Sequence, residues 1–243
     1  MSPVKTPTGF VSTTDLNVIR DHQEQQFHVK LEKGNVRILN HQEFLKEDDA
    51  YEFQVRRKGI PVVATGYPTW VTPGSGARIK GGYLHAIDNG EWGGGIYFEP
   101  ANLRKLKKIS SNRTHIVESL PQGIFAIQTK GTMVEDYMYL LELTKTQTGW
   151  KERFVVDLHE HDGTSIRVKD AFVLGTDQRV IMVFPSGKQT ELFRAPNYYL
   201  CPRSCVLQPN GELWFGCSWG VLCLKPETHL KYKPFLFVPT KTS

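Results

Sequence analysis

An all-β fold is predicted for this chain of 243 residues by three features of its sequence. From Pro61 onward, apolar residues recur with period two or in short runs, the lengths and spacing of strands rather than helices. Gly, Pro, Asn and Asp separate those runs at intervals of about eight to twelve residues, the rhythm of successive β-turns. The 21 glycines and 14 prolines fit many tight turns, in a composition (40% hydrophobic, 23% charged) that can bury a substantial core. The whole chain, 1–243, reads as a single domain.

Along the chain, residues 1–35 are polar, and "DHQEQQFHVK" has no clear period, so this part reads as an N-terminal arm or a closing strand. The start, "MSPVKTPTGFVSTTD", has no apolar core of a signal peptide, and with Met1 as the first residue a cytoplasmic location is expected. "HQEFLKEDDAYEFQVRRKG" (His41–Gly59) sets Phe44, Leu45, Tyr51 and Phe53 in a charged background and permits one short helix. Strands are then expected at "PVVATG", "YLHAID", "GIYFEP", "HIVESL", "GIFAIQ", "YMYLLEL", "RFVVDL", "DAFVLG", "RVIMVF" and "TELF", and further at "CVLQ", "ELWFGC", "GVLCL" and "PFLFV". No stretch approaches the roughly 20 apolar residues of a membrane span, so no membrane partner is expected. Nothing in the sequence fixes the oligomeric state.

Two stretches share a plan. "CVLQPNGELWFGCSWGVLCLKP" (Cys205–Pro226) and "LHAIDNGEWGGGIYFEP" (Leu84–Pro100) each run from apolar residues through Asn-Gly-Glu and Trp to Gly, an apolar run and Pro. Asn89 and Asn210 lie 121 residues apart, close to three periods of about 40, the length of a four-stranded repeat. Weaker copies, Leu120–Gly131 and Leu174–Phe193, lie between them at uneven spacing, which requires insertions. The Asn-Gly pairs suit type I′ hairpins, and the Gly before each apolar run lets a strand start close against its neighbour. Val221–Leu224, apolar at every position, fits a sheet covered on both faces. Trp92, Trp214 and Trp219 are read as packing residues.

"NGELWFGCSWGVLCL", and in part "NGEWGGGIYF", resembles the blade motif of short-repeat β-propellers of the sensor and two-component-regulator type. The resemblance covers about half the chain and implies a small irregular β-propeller of about five blades, with four or six within range. On it, Cys205–Pro226 is the middle two strands of a blade and their hairpin. An irregular β-sandwich is the alternative architecture. The motif specifies blade construction and no chemistry.

The four cysteines all fall between Cys201 and Cys223, spaced C-x3-C and C-x5-C, looser than the paired C-x2-C knuckles of zinc sites. Cys217 and Cys223 sit in apolar runs and read as buried thiols. The formal charge of +5 favours an acidic partner. Its densest run, "LRKLKKISSNRT", carries Arg104, Lys105, Lys107, Lys108 and Arg113. A solvated edge strand protected by lysines explains it better than a nucleic-acid groove, which needs aromatic platforms beside the charge.

Several constellations carry candidate chemistry. "FVVDLHEHDG" resembles the first metal motif of the amidohydrolases, which makes His159 and His161 weak metal candidates. The barrel of that family needs far more chain than follows, and a strand leading into an "HDGTS" hairpin turn is the plainer reading. "TPGSGARIKGG" lacks the Gly-Lys-Ser/Thr ending of a phosphate loop. The loop-like "TGYPTWVTPGSGARIKGGY" and "RAPNYYLCPRS" combine aromatic and arginine side chains, the composition of binding surfaces. They nominate Tyr67, Trp70, Arg78, Tyr198, Tyr199 and Arg203 for ligand or partner binding. No nucleophile elbow or dinucleotide fingerprint is present, no catalytic residue is nominated, and no cofactor is expected. The leading reading is a non-catalytic binding protein that presents a rigid β scaffold to a protein partner, for example an accessory or immunity-type protein. The alternatives are a hydrolase or lyase working at a propeller channel mouth and, third, a nucleic-acid binder.

Overall fold

The computed structural model describes residues 4–14, 19, 25–46, 76–88, 94–101, 106–130, 137–160, 163–196, 200–228 and 230–240. Among them run β1 (Phe10–Thr13), β2 (Phe27–Glu32), β3 (Asn35–Asn40), β4 (Gly76–Ile79), β5 (Gly82–Asp88), β6 (Gly94–Pro100) and β7 (Lys107–Ser110). There follow β8 (Arg113–Leu120), β9 (Gly123–Lys130), β10 (Tyr137–Lys145), β11 (Trp150–Asp157), β12 (Gly163–Val168) and β13 (Ala171–Thr176). The chain ends with β14 (Arg179–Val183), β15 (Gln189–Arg194), β16 (Ser204–Leu207), β17 (Leu213–Gly216), β18 (Val221–Thr228) and β19 (Lys231–Pro239). The fold is all-β. Its antiparallel sheets take consecutive strands: β2-β3, β4 to β7, β8 to β11, β12 to β15, and β16 to β19 with β1 added outside β19. No described helix is long and apolar enough to cross a membrane.

The apolar runs have a direct cause. Side chains alternate across a strand, so a sheet covered on both faces needs apolar residues at every position. On β13, Phe172 and Leu174 face one core while Ala171 and Val173 face another. On β14 the same split separates Ile181 and Val183 from Val180 and Met182. On β9, Phe125 and Ile127 share a core with β13, whereas Ala126 packs with Leu84 and Ile96 of the preceding sheet. A fourth core joins Phe27 and Val29 of β2 to Trp214, Val221, Cys223 and Phe237. Three of these cores thus lie between sheets that follow one another in sequence, and the fourth joins the first sheet to the last. Each buried Leu, Ile or Phe contributes roughly 1.5–3 kcal/mol.

The two ends of the chain meet in the last sheet. β1 pairs antiparallel with β19, Phe10 opposite Pro239 and Thr13 opposite Leu236. Thr240 N donates to Gly9 O at 2.8 Å. On the other side, Phe27 N donates to Cys217 O at 2.9 Å, and Gln25 and Gln26 both donate to Ser218 O. Val29 N donates to Ser204 Oγ at 2.7 Å. Gly216 permits this approach: a Cβ there would meet the Phe27 carbonyl oxygen and stand 2.7 Å from His28 Cα.

Several expectations are corrected here. The Asn210-Gly211 turn is not type I′, because only Gly211 has positive φ (87°). Pro209 fixes the preceding position of a type I turn, which leaves the left-handed residue to Gly211. Glu212 N donates to Asn210 Oδ1 at 3.0 Å and completes it. Type I′ geometry occurs instead at Lys33-Gly34, where both φ are positive (50° and 81°).

The repeat register also differs. Asn210 joins the first and second strands of its sheet, whereas Asn89 falls between the second and third of its own. Cys205–Pro226 accordingly holds parts of three strands, β16 to β18, rather than two. "HDGTS" is no hairpin turn, since β11 and β12 belong to different sheets. The glycine-rich "TPGSGARIKGG" contains β4, and "PVVATG" lies outside the described residues. The expected helix is described over 41–46, opened by a reciprocal cap in which Glu43 N donates to Asn40 Oδ1 at 2.9 Å and Asn40 N to Glu43 Oε2 at 3.0 Å. Lys107 and Lys108 are exposed on β7, an edge strand, as the basic run suggested.

Gly216→Ala is expected to push β2 off the last sheet and cost about 1–3 kcal/mol, the range for overpacking a tight contact. The midpoint of urea unfolding, followed by tryptophan fluorescence, measures it.

Candidate functional site

The N-terminal segment, the β2–β3 hairpin and the last sheet border a cavity of about 1240 Å³. Its floor is fixed by the hairpin turn between β16 and β17: Gln208 N donates to Glu212 O and Gly211 N to Gln208 O, both at 2.9 Å. Glu212 is buried and accepts from Trp214 Nε1 at 3.3 Å. Leu213 pairs with Leu224, which brings Glu212 beside Lys225 across the two strands. Lys5, Lys33, Arg37 and Lys225 supply positive charge to the lining. Arg37 also lies 3.7 Å from Glu32 in an exposed pair, an arrangement worth little in stability. The groove's rings are engaged within the protein: Trp214 stacks on Phe237 (5.7 Å, 9°) and Phe10 meets Phe27 edge-on (5.5 Å, 72°). Sequence reasoning missed this groove, because its parts come from four separated segments.

A second polar cluster joins the second and third sheets. Arg113 Nε donates to Asp88 Oδ1 at 2.9 Å, and Asp88 Oδ2 lies 3.2 Å from His115 Nδ1. His115 Nε2 is 2.6 Å from Thr129 Oγ1. With Nδ1–H given to the carboxylate, Nε2 is the acceptor for the Thr129 hydroxyl. This is the order of groups that activates a hydroxyl nucleophile. Two facts direct it to structure instead: Thr129 is 2% exposed, and Asp88 is shared with Arg113. Beside it Gln128, fully buried, donates to Ser110 Oγ and Thr114 Oγ1 (both 2.9 Å) and accepts from Tyr139 OH at 2.8 Å.

At the end of β11, His159 has φ of 52°, and its N–H donates to Asp157 Oδ1 at 2.8 Å. Its side chain is 80% exposed, while the following Glu160 is buried and paired with Arg179. His161 lies outside the described residues. The cysteines do not converge: Cys217 belongs to the core between the fourth and fifth sheets, Cys223 to the core under β2. Burial raises the Cys217 and Cys223 thiols and pushes Cys205 up to about 12, so they are protonated near neutral pH and poor metal ligands or nucleophiles. Glu118 is held above the usual carboxylate range by burial, against the opposing effect of Arg167 3.2 Å away.

Of the residues nominated for binding, Arg78 is exposed on β4, opposite Tyr83, and Arg203 is exposed just before β16. Arg78 belongs to the β4 to β7 sheet, and Arg203 leads into the last sheet. Tyr67, Trp70, Tyr198 and Tyr199 lie outside the described residues, as does Trp92. Trp214 and Trp219 are buried in cores, as expected. Arg203 N donates to Gly216 O at 2.8 Å. This places it near His28, whose ring stacks on Phe44 (3.8 Å, 6°) and lies 3.5 Å, nitrogen to nitrogen, from His41. Burial, then the charges of His41 and Arg203, lower the His28 pKa to about 3.

No family model matches the chain, and no curated protein matches it. Among solved structures it is similar to the extracellular domain of a hybrid two-component system from B. thetaiotaomicron, with 14% identity and a TM-score of 0.47 over 96% of this chain. It is also similar to a structure described as the extracellular domain of a one-component system from the same organism, with 15% identity and a TM-score of 0.44 over 92% of this chain. The chain spans 27% and 26% of the lengths of those two chains. The cytoplasmic location expected from the N-terminal residues is corrected by these neighbours, both of which are extracellular domains. The expectation rested on an N-terminus without a signal-peptide core and on the lack of a membrane-spanning run, neither of which fixes the compartment.

The depressed pKa of His28 has a definite sign. Below the unfolded value of 6.5 the unfolded chain takes up a proton that the folded chain refuses until about pH 3. Stability is therefore lost as pH falls through that window, at up to roughly 1.4 kcal/mol per pH unit from this group. Urea midpoints measured from pH 7 to pH 4 are expected to fall more steeply for the native chain than for His28→Phe.

Proposed function

We propose that this chain is a non-catalytic binding protein, a small five-bladed β-propeller that presents a rigid β scaffold to a protein partner. The five sheets taken in chain order, with cores between the second and third, third and fourth, and fourth and fifth, and one that joins the last sheet to the first, support the blade reading. β1 on β19 would then be the strand that closes one domain. The observation that carries the binding reading is the groove of about 1240 Å³ bordered by the N-terminal segment, the β2–β3 hairpin and the last sheet, and edged with cations. Exposed Arg78 and Arg203 belong to a second proposed contact surface, together with Tyr67, Trp70, Tyr198 and Tyr199. Arg203 lies at the opposite end of β16 from the groove.

A photo-reactive amino acid placed at Arg37 is expected to cross-link a partner that the same residue at Lys151, exposed on β11, does not. Turnover in a broad hydrolase screen, abolished by Glu118→Gln, would instead establish an enzyme and overturn the binding reading.

A further inference from the structure

The groove's chemistry is more specific than its shape. Four cations line it, Lys5, Lys33, Arg37 and Lys225, against two carboxylates, Glu32 and Glu212. Glu32 is paired with Arg37, and Glu212 is buried and bonded to Trp214, so the field facing a ligand is positive. Asn35, Gln208 and Asn210 add side-chain amides, which both donate to and accept from peptide groups. The cavity exceeds the roughly 300–1,000 Å³ of small-molecule pockets, as an extended ligand requires.

The aromatic residues choose between acidic polymers. A sugar ring binds best against an exposed aromatic face, and here Trp214 is 5% exposed and stacked on Phe237. Phe10 is half-buried and in T-shaped contact with Phe27. We propose that the groove takes an extended acidic segment of a partner protein, its carboxylates against Lys5, Lys33, Arg37 and Lys225 and its backbone against the three amides. This inference rests on the groove being the binding site. The same segment would bridge the N-terminal strand to the β2–β3 hairpin, so binding would also tighten the junction of the chain ends.

Fluorescein-labelled decaglutamate, titrated by fluorescence anisotropy at about 0.15 M salt, tests it. Binding is expected to weaken at least about tenfold in Lys5→Glu/Lys33→Glu and less than about twofold in Lys151→Glu/Lys188→Glu, which carries the same charge change at exposed residues of β11 and of the turn between β14 and β15. Lys225→Glu is the second groove variant, and unchanged melting temperatures establish that all three are folded. Decaglutamine is expected not to compete. Equal weakening by both double variants would overturn the inference in favour of diffuse charge. A decamer of galacturonate that binds more tightly, with the same lysine dependence, would overturn the peptide assignment and leave the groove as the site. Failure of decaglutamate to bind also overturns it, and the cross-link at Arg37 then decides the groove separately.

Discussion

The attachment of the N-terminal segment to the last sheet is the constraint on which the other features depend. Thr240 Oγ1 donates to Gly9 O across 231 residues of sequence, and β2 lies against Gly216 so closely that no side chain fits there. Remove β2 and the outer face of the last sheet, with Trp214, Val221, Cys223 and Phe237, would lose its cover. That exposure would cost several times the roughly 1.5–3 kcal/mol of one large apolar side chain. The entropy of closing so long a loop grows only logarithmically with its length, so the apolar burial outweighs it. The groove is a consequence of the same junction, since its walls come from both segments that the junction brings together.

Repetition of one packing rule explains the middle of the chain. A sheet with another on each side must present apolar residues on both faces, which is why β13 is buried at all six positions. Strands of this kind were legible as apolar runs, and most of those expected after residue 82 are found. The polar β12 was not legible. Thr164 and Ser165 are buried there, with Thr164 Oγ1 3.4 Å from Cys205 Sγ, and nothing in "GTSIRV" signals burial. β4 was hidden for a related reason: Gly76 accommodates the Tyr83 ring across the strand, and in sequence that glycine looks like a loop. The repeat failed in register because Asn-Gly marks where a chain reverses, not which pair of strands it joins.

Much less of the candidate site could be read. Aromatic and arginine residues in loops were the sequence signal, and it led to Arg78, exposed on β4, and Arg203, exposed just before β16. The groove is assembled from Lys5–Phe10, the β2–β3 hairpin, the turn after β16 and the end of β18. No local pattern links them, because the link is the long-range pairing of β1 with β19. Lys33 is a partial exception. It occupies a left-handed position in a two-residue turn, which holds its side chain at the tip of the hairpin.

The distribution of charged groups separates binding from chemistry. Asp88, Arg113 and His115 hold one another at a half-buried junction, and Glu160, Arg179, Glu191 and Arg194 form a second chain of ion pairs. Buried charges must be paired in this way, because an unpaired one costs several kcal/mol of desolvation. A group committed to such a pair is poorly placed to exchange a proton or attack a substrate. Two lysines of the groove differ in being exposed. Lys5 and Lys33 are exposed, hold their charge in water at little cost, and can exchange solvent for a carboxylate without disturbing any core. Among the described residues, these two networks join neighbouring sheets, whereas Lys5 and Lys33 lie exposed at the concave surface.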